Sequence, residues 1–439
     1  MNIYLFHRDL RVVDNIGLNS ANVDLVPIFI FTPTQINPSK NKYFSNNAVQ
    51  FMCECLDDLD KELKKHNSRL FIFYDDPINI LEKLIHTEHI ESIYTNMDYT
   101  PFATKRQQDI QKLCKKNNIN FHMFEDYLLT GIEIVKNGTN NAYKKFTPFY
   151  NTAKKIKIKE IDKHIVKNFI NESTKLQHEY TKDFHKFYTK NDKVYVHGGR
   201  KNGLNILKSI KKFGSYNSER DIPIIETTHL SAYLKFNVVS IREVYHCIKD
   251  KLGTRNKLIT QLYWREFYMF IIYHYPFVIG NNMNGNKIKW NNDKKMFKLW
   301  CEGKTGIPII DAGMTQLNVT GWMHNRLRMI VGNFLVKVLH IDWRYGEKYF
   351  ASKLIDYDPS NNNGGWQWVA STGTDSQPYF RYFNPWSQTI KFDPKCEYIK
   401  KWLKEFETTN YKEILNPENH NPIVKDISKE IKKTLSMYN

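Results

Sequence analysis

The feature that most constrains this chain is the strand–helix alternation of its first 130 residues. Short apolar runs at Ile3–Phe6, Leu25–Phe31, Leu70–Tyr74, Ser92–Asn96 and Asn120–Phe124 read as buried strands. Longer amphipathic stretches at Ser45–His66, Pro77–His86 and Phe102–Asn117 read as helices between them. Alternation of this kind predicts an α/β domain built on a doubly wound, Rossmann-like parallel sheet. No GxGxxG follows the first strand, so this domain is not expected to hold a dinucleotide in the usual way.

From about Leu129 to Val196 the pattern loses regularity and becomes rich in Lys, Asn and Thr, as in a long surface connector. After Gly198-Gly199 the period is mostly helical and the chain is dense in Trp, Tyr and Phe, broken by turn clusters at Gly280–Asn286, Asp358–Gly365 and Phe383–Pro385. We therefore expect an α/β domain over 1–130, a linker over 131–195 and a larger all-α domain over 196–439. A chain of 439 residues has room for two or three domains, each with its own core.

Lys and Arg number 64 against 46 Asp and Glu, a net +18 that favours an acidic partner, nucleic acid first and anionic membrane second. A solubilising surface accounts for part of it, as in Lys154–Lys159 and Lys432-Lys433. Lys, Asn and Ile are frequent throughout, so mutational bias adds to the excess. No apolar run is long enough to span a membrane. The opening strand is broken at once by His7-Arg8-Asp9, unlike a signal peptide, and an intracellular location is expected. The six cysteines form no CxxC pair, so no metal or iron–sulfur site is expected.

The unusual residues lie in the helical part. All nine tryptophans fall at or after Trp264. Packing is the ordinary role of each, but the concentration also suits stacking on unpaired bases or relaying electrons to a redox cofactor. Asn325, Arg326 and Arg328 interrupt the apolar run WMHNRLRMIVGNFLV. Two residues apart on a helix, Arg326 and Arg328 point to different faces, so one can meet solvent or phosphate while the other turns inward. A buried arginine needs an acid, and Asp356 or Asp358 of LIDYDP can supply it. A purely structural ion pair meets the same description.

The segments GKTGIPIIDAGMTQLNVTGWMHNRLR (303–328), IDWR (341–344) and LIDYDPSNNNGGWQWVASTGT (354–374), with FHRDLRVVDN near the N-terminus, resemble the photolyase/cryptochrome family, specifically its class I cyclobutane pyrimidine dimer photolyases. The resemblance covers essentially the whole chain. It implies an antenna-binding α/β domain joined to a helical domain that buries FAD. UV-damaged DNA is the implied substrate, and a monomer with no membrane association is expected.

By this resemblance Tyr216 and the segment Thr227, Thr228, His229, Leu230 and Ser231 contact the FAD phosphates and ribityl chain. Alone, TTHLS would read as a helix N-cap. Asp356 and Asp358 are the implied flavin-side acids, with Arg328 the partner of Asp356, and Asn362 faces flavin N5. Trp366, Trp343 and Trp290 match an electron-relay triad that photoreduces FAD. Trp264 and Trp368 match the aromatic pair lining the lesion pocket, where Asn325 and Met329 also face the dimer. Arg326 and Arg381 are the candidates for phosphates beside the lesion.

Gln261 departs from the family's dimer photolyases, which have Glu at that place. Gln can donate through its amide but cannot deliver a proton. The (6-4) photolyases also carry Gln there, yet they have two adjacent histidines where this chain reads His324-Asn325, and they lack an equivalent of Trp368. The cyclobutane dimer is therefore the expected lesion, with a (6-4) photolyase or a non-repairing cryptochrome-type light sensor as the alternatives. NMDYTPFATKR (96–106) lacks the Asn-Glu pair of folate-binding relatives, leaving a deazaflavin, a differently bound methenyltetrahydrofolate or no antenna open.

Overall fold

The computed structural model describes residues 1–21, 23–166, 168–375 and 381–438. Five parallel strands, β1 (Asn2–Phe6), β2 (Leu25–Phe31), β3 (Phe71–Tyr74), β4 (Ser92–Asn96) and β5 (Asn120–Phe124), form one sheet in the order β3-β2-β1-β4-β5. Ile3 pairs with Val26 on one side and Ile93 on the other, and Ile93 pairs onward with Phe121. Every residue of β2 is buried, as expected of a central strand covered on both faces.

The helices between the strands begin where their capping chemistry places them. For α1 (Asn46–Lys64), Ser45 accepts the amide of Ala48. Asp76 caps α2 (Pro77–Thr87) and Thr100 caps α3 (Pro101–Lys116), each with proline in the first turn. Strand order reverses between β1 and β4, the place where open α/β sheets present loops for ligands. There Tyr4 Oη donates to Asp9 Oδ2 at 2.6 Å, and Asn96 Nδ2 donates to the same oxygen at 2.8 Å.

By compactness the chain forms two units: residues 1–191, 196–212 and 229–276 make the first, and 192–195, 213–228 and 277–439 the second. The stretch 131–195 is largely irregular apart from α4 (Phe146–Ala153), an isolated bridge and a 3-10 turn. Helices α5 (Leu230–Lys235), α6 (Ile241–Leu252) and α7 (Lys257–His274) group with the sheet. Buried charges tie them to it. Arg242 bonds Asp14 and Asp126, and the Glu266 carboxylate accepts the amides of Leu129 and Thr130 at 2.6 and 3.2 Å.

In the second unit α8 (Pro308–Thr320), α9 (Asn325–Lys337), α10 (Trp343–Lys353) and α11 (Pro359–Ala370) enclose a core that includes Trp300, Leu317, Phe334, Trp343, Phe350 and Trp366. The last helix, α12 (Ile427–Tyr438), docks through Thr434 Oγ1 to the Lys337 carbonyl and Tyr438 Oη to the Ala370 carbonyl, both 2.6 Å.

Candidate functional site

His324 starts α9 by accepting the Arg326 amide on Nδ1 at 3.1 Å, which sets the faces of the residues that follow. Arg328 Nη2 bonds both oxygens of Asp356 at 3.0 and 3.1 Å, and its Nε donates to the Met323 carbonyl at 2.9 Å. The expected pair is therefore formed, although the Arg328 side chain is 27% exposed against 13% for Arg326. Arg326 takes the other face, as its spacing predicts, but it is not simply turned to solvent. It bonds Asp221 at 2.7 Å, and its guanidinium lies 4.4 Å from the Phe392 ring centre. Asp358 caps α11, accepting the amide of Asn361 at 3.0 Å and its side chain at 2.9 Å.

One turn into α11, Asn362 donates through Nδ2 to the Glu347 carbonyl at 3.0 Å, which leaves its amide oxygen as the end available to a hydrogen-bond donor. Behind it, Asn363 Nδ2 donates to Glu347 Oε1 at 3.2 Å and Gln367 Nε2 to Asn363 Oδ1 at 3.0 Å. Burial pushes the Glu347 carboxyl up to about 7, with the Asn363 amide pulling the other way. Sequence reasoning missed Glu347. The available signal was a carboxylate one helical turn after Trp343, on the face that α10 buries.

Trp343 is fully buried and donates Nε1–H to Asn282 at 2.8 Å. Trp366 is buried edge-on to Phe350, ring centres 4.9 Å apart. Trp290 is half-buried and meets the Tyr438 ring edge-on at 6.1 Å. Trp366 and Trp343 are thus both buried, and Trp290 is the one of the three that reaches solvent.

Trp368 is half-buried, with the Arg381 guanidinium 5.6 Å from its ring centre and Phe383 stacked at 6.4 Å and 20°. Asn325 Nδ2 lies 3.6 Å from Met329 Sδ, so these two residues share one patch of α9. In the first unit, half-buried Trp264 on α7 stacks on Phe146 at 3.6 Å and 8°, and half-buried Gln261 lies one turn earlier. Tyr216, half-buried with its phenol pushed up by burial, belongs to the second unit with Thr227 and Thr228. His229, Leu230 and Ser231 belong to the first unit, where His229 opens α5 in the left-handed conformation at φ 51°.

A second cluster in the first unit brings together residues of the FHRDLRVVDN segment and of the loop 96–106, which sequence reasoning treats separately. Arg8 lies 3.6 Å from Asp98 and 5.1 Å from the Tyr127 ring centre. Burial and the neighbouring Arg106 push His7 well below its usual range, and burial lowers Arg106 as well. His7 Nε2, Arg106 Nε and Nη2, and Tyr127 Oη are buried without a hydrogen-bond partner. Buried polar groups of this kind ask for a ligand or bound water.

Residues 2–166 match the family described as DNA photolyase, and 258–436 match the FAD binding domain of DNA photolyase. The chain is 37% identical to the deoxyribodipyrimidine photo-lyase of Buchnera aphidicola subsp. Baizongia pistaciae, over 100% of its own length and 96% of that protein. It is 35% identical to the Vibrio cholerae enzyme of the same name, over 95% and 93%. Among solved structures, an archaeal photolyase from Sulfolobus tokodaii, described with two FAD molecules and a novel light-harvesting cofactor, superimposes with TM-score 0.89 at 38% identity, covering 100% of this chain and 99% of that one. A class III photolyase from Agrobacterium tumefaciens gives 0.90 at 27%, covering 100% and 96%. The chain belongs to the DNA photolyase family. It is an FAD-binding DNA-repair enzyme of the deoxyribodipyrimidine photo-lyase kind.

Proposed function

We propose that this enzyme restores cyclobutane pyrimidine dimers in UV-damaged DNA, with 1–130 serving the antenna and 196–439 the catalytic flavin. The observation that carries the choice of lesion is at the start of α9. His324 is engaged as the helix cap and is followed by Asn325, so a single imidazole stands where (6-4) enzymes carry two, while Trp368 keeps an accessible indole. Gln261 is the one feature that favours the (6-4) lesion.

The residues present fit a reduced flavin. Asn362 offers an amide oxygen to an N–H donor and cannot itself titrate, and the Arg328–Asp356 pair supplies balanced charge nearby. When bound, FAD supplies the light-driven electron. Trp366, Trp343 and Trp290 would relay electrons to it from an external reductant at the surface. Asp358, Tyr216, Thr227, Thr228, His229, Leu230 and Ser231 hold it in place. Trp264 and Trp368 offer aromatic faces to the displaced bases, each stack returning roughly 1–3 kcal/mol against an unstacking cost of a few. Asn325 and Met329 orient the dimer. Gln261 donates an amide N–H where negative charge develops on a thymine carbonyl. Arg381 and Arg326 meet the flanking phosphates, Arg326 by exchanging Asp221 for the backbone.

The cluster of His7, Arg106 and Tyr127 suits an anionic, oxygen-rich antenna of the flavin type, since the Arg106 nitrogens and the Tyr127 hydroxyl can donate to it. An absorption spectrum of the purified protein reads both cofactors. The repair reading is tested by illuminating the reduced enzyme with DNA carrying either lesion. Loss of cyclobutane dimers is expected, enhanced by Gln261→Glu on that lesion alone. Repair of only the (6-4) lesion, or of neither, would overturn it.

A further inference from the structure

Lys337 is fully buried at the end of α9, and Asn333, one turn before it on the same face, is 1% exposed. Both reach the same short segment. Lys337 Nζ donates to the Arg381 carbonyl at 2.8 Å and to Ser371 Oγ at 2.7 Å. Asn333 Nδ2 donates to the same carbonyl at 3.3 Å, and its Oδ1 accepts the Phe383 amide at 3.0 Å. The backbone from Arg381 to Phe383 is thus pinned at both ends to one helix face. Its two outer side chains, the Arg381 guanidinium and the Phe383 ring, both lie against Trp368. The cavity among Asn333, Lys337, Trp368, Ser371 and Arg381 is only about 10 Å³, room for about one water, so this arrangement positions side chains and does not bind a ligand. A side chain present only to fill the core would be a hydrocarbon, because burying an ammonium against neutral oxygens is costly.

We propose that Lys337 and Asn333 are positioning residues for DNA binding: they hold the Arg381–Phe383 segment so that Arg381 stays over Trp368 and aimed at a lesion-flanking phosphate. This rests on the repair reading and on the DNA role of Arg381. Neither residue touches DNA. Their contribution is spent through Arg381, so their loss and the loss of Arg381 should not add.

The test uses the FAD-bound enzyme and a duplex carrying one cyclobutane dimer, with Kd measured over a range of salt. Arg381→Ala and Lys337→Met are each expected to weaken binding about tenfold and to lower the log Kd–log salt slope by about one. The double variant should bind no more weakly than Arg381→Ala. Asn333→Ser should show a smaller loss in the same direction, and it carries the comparison if Lys337→Met does not bind FAD. Wild-type affinity and slope in both Lys337→Met and Asn333→Ser would overturn the proposal, as would a Lys337→Met loss that adds in full to that of Arg381→Ala. A wild-type enzyme that ignores the dimer overturns the repair reading instead.

Discussion

Glu347 is the single residue whose chemistry the fold changes most visibly near the candidate flavin site. In water its carboxyl would ionise near 4.5, whereas in the core, bonded to Asn363 and with Arg344 of its own helix and the N-cap Asp342 as opposing charged neighbours, it holds its proton to about 7. The native state therefore binds this proton more tightly than the unfolded chain does. Its contribution to stability is present below about pH 4.5 and is lost as pH rises towards 7, on the order of 3 kcal/mol in all. Glu347→Gln should flatten that part of the stability–pH curve, measured by urea unfolding at pH 5 and pH 7.5. An unchanged curve would place the proton elsewhere. Arg328 and Arg326 show what was readable residue by residue. A charge inside an apolar run demands a partner, and Asp356 lies in a recognisable acidic segment. The partner of Arg326, Asp221, lies 105 positions away in an otherwise ordinary loop, and local pattern carries no signal of such a pairing.

Among the elements, α10 and α11 show how closely helices approach around the proposed relay. At Gly346 on α10, a methyl group would come within 2.2 Å of the Trp366 ring and 2.7 Å of Leu335. Alanine is the better helix former by roughly 1 kcal/mol, yet overpacking of a core typically costs about 1–3 kcal/mol. Steric cost should win here. We expect Gly346→Ala to lower the thermal midpoint and to slow photoreduction of the flavin, read by absorbance under blue light. A stabilised variant with wild-type photoreduction would mean that α10 and α11 can separate freely. Strand and helix positions were legible because apolar period, proline and capping residues are local signals: Asp76-Pro77 and Thr100-Pro101 mark helix starts before any tertiary contact exists. The grouping of α6 and α7 with the sheet was not legible, because it depends on Arg242 meeting Asp14 and Asp126 across more than 100 residues of sequence.

For the whole molecule, the net charge of +18 is a property of composition that acts at long range. If it serves DNA binding, the affinity for undamaged duplex should fall steeply with salt, with a slope near −0.9 for each phosphate neutralised. Filter binding between 50 and 200 mM salt checks this, and a flat response would assign the charge to solubility alone. What the sequence determined by itself was the doubly wound parallel sheet, the helical remainder, and the family signature in TGWMHNRLR and NNNGGWQW. These are written in residue type and spacing. Only the tertiary structure decided which charges are buried and what they meet: Arg326 with Asp221, Glu347 holding its proton, the donor cluster around Arg106, and the hold of Lys337 and Asn333 on the segment of Arg381. Desolvation depends on every neighbour in space, and most of those neighbours are far away along the chain.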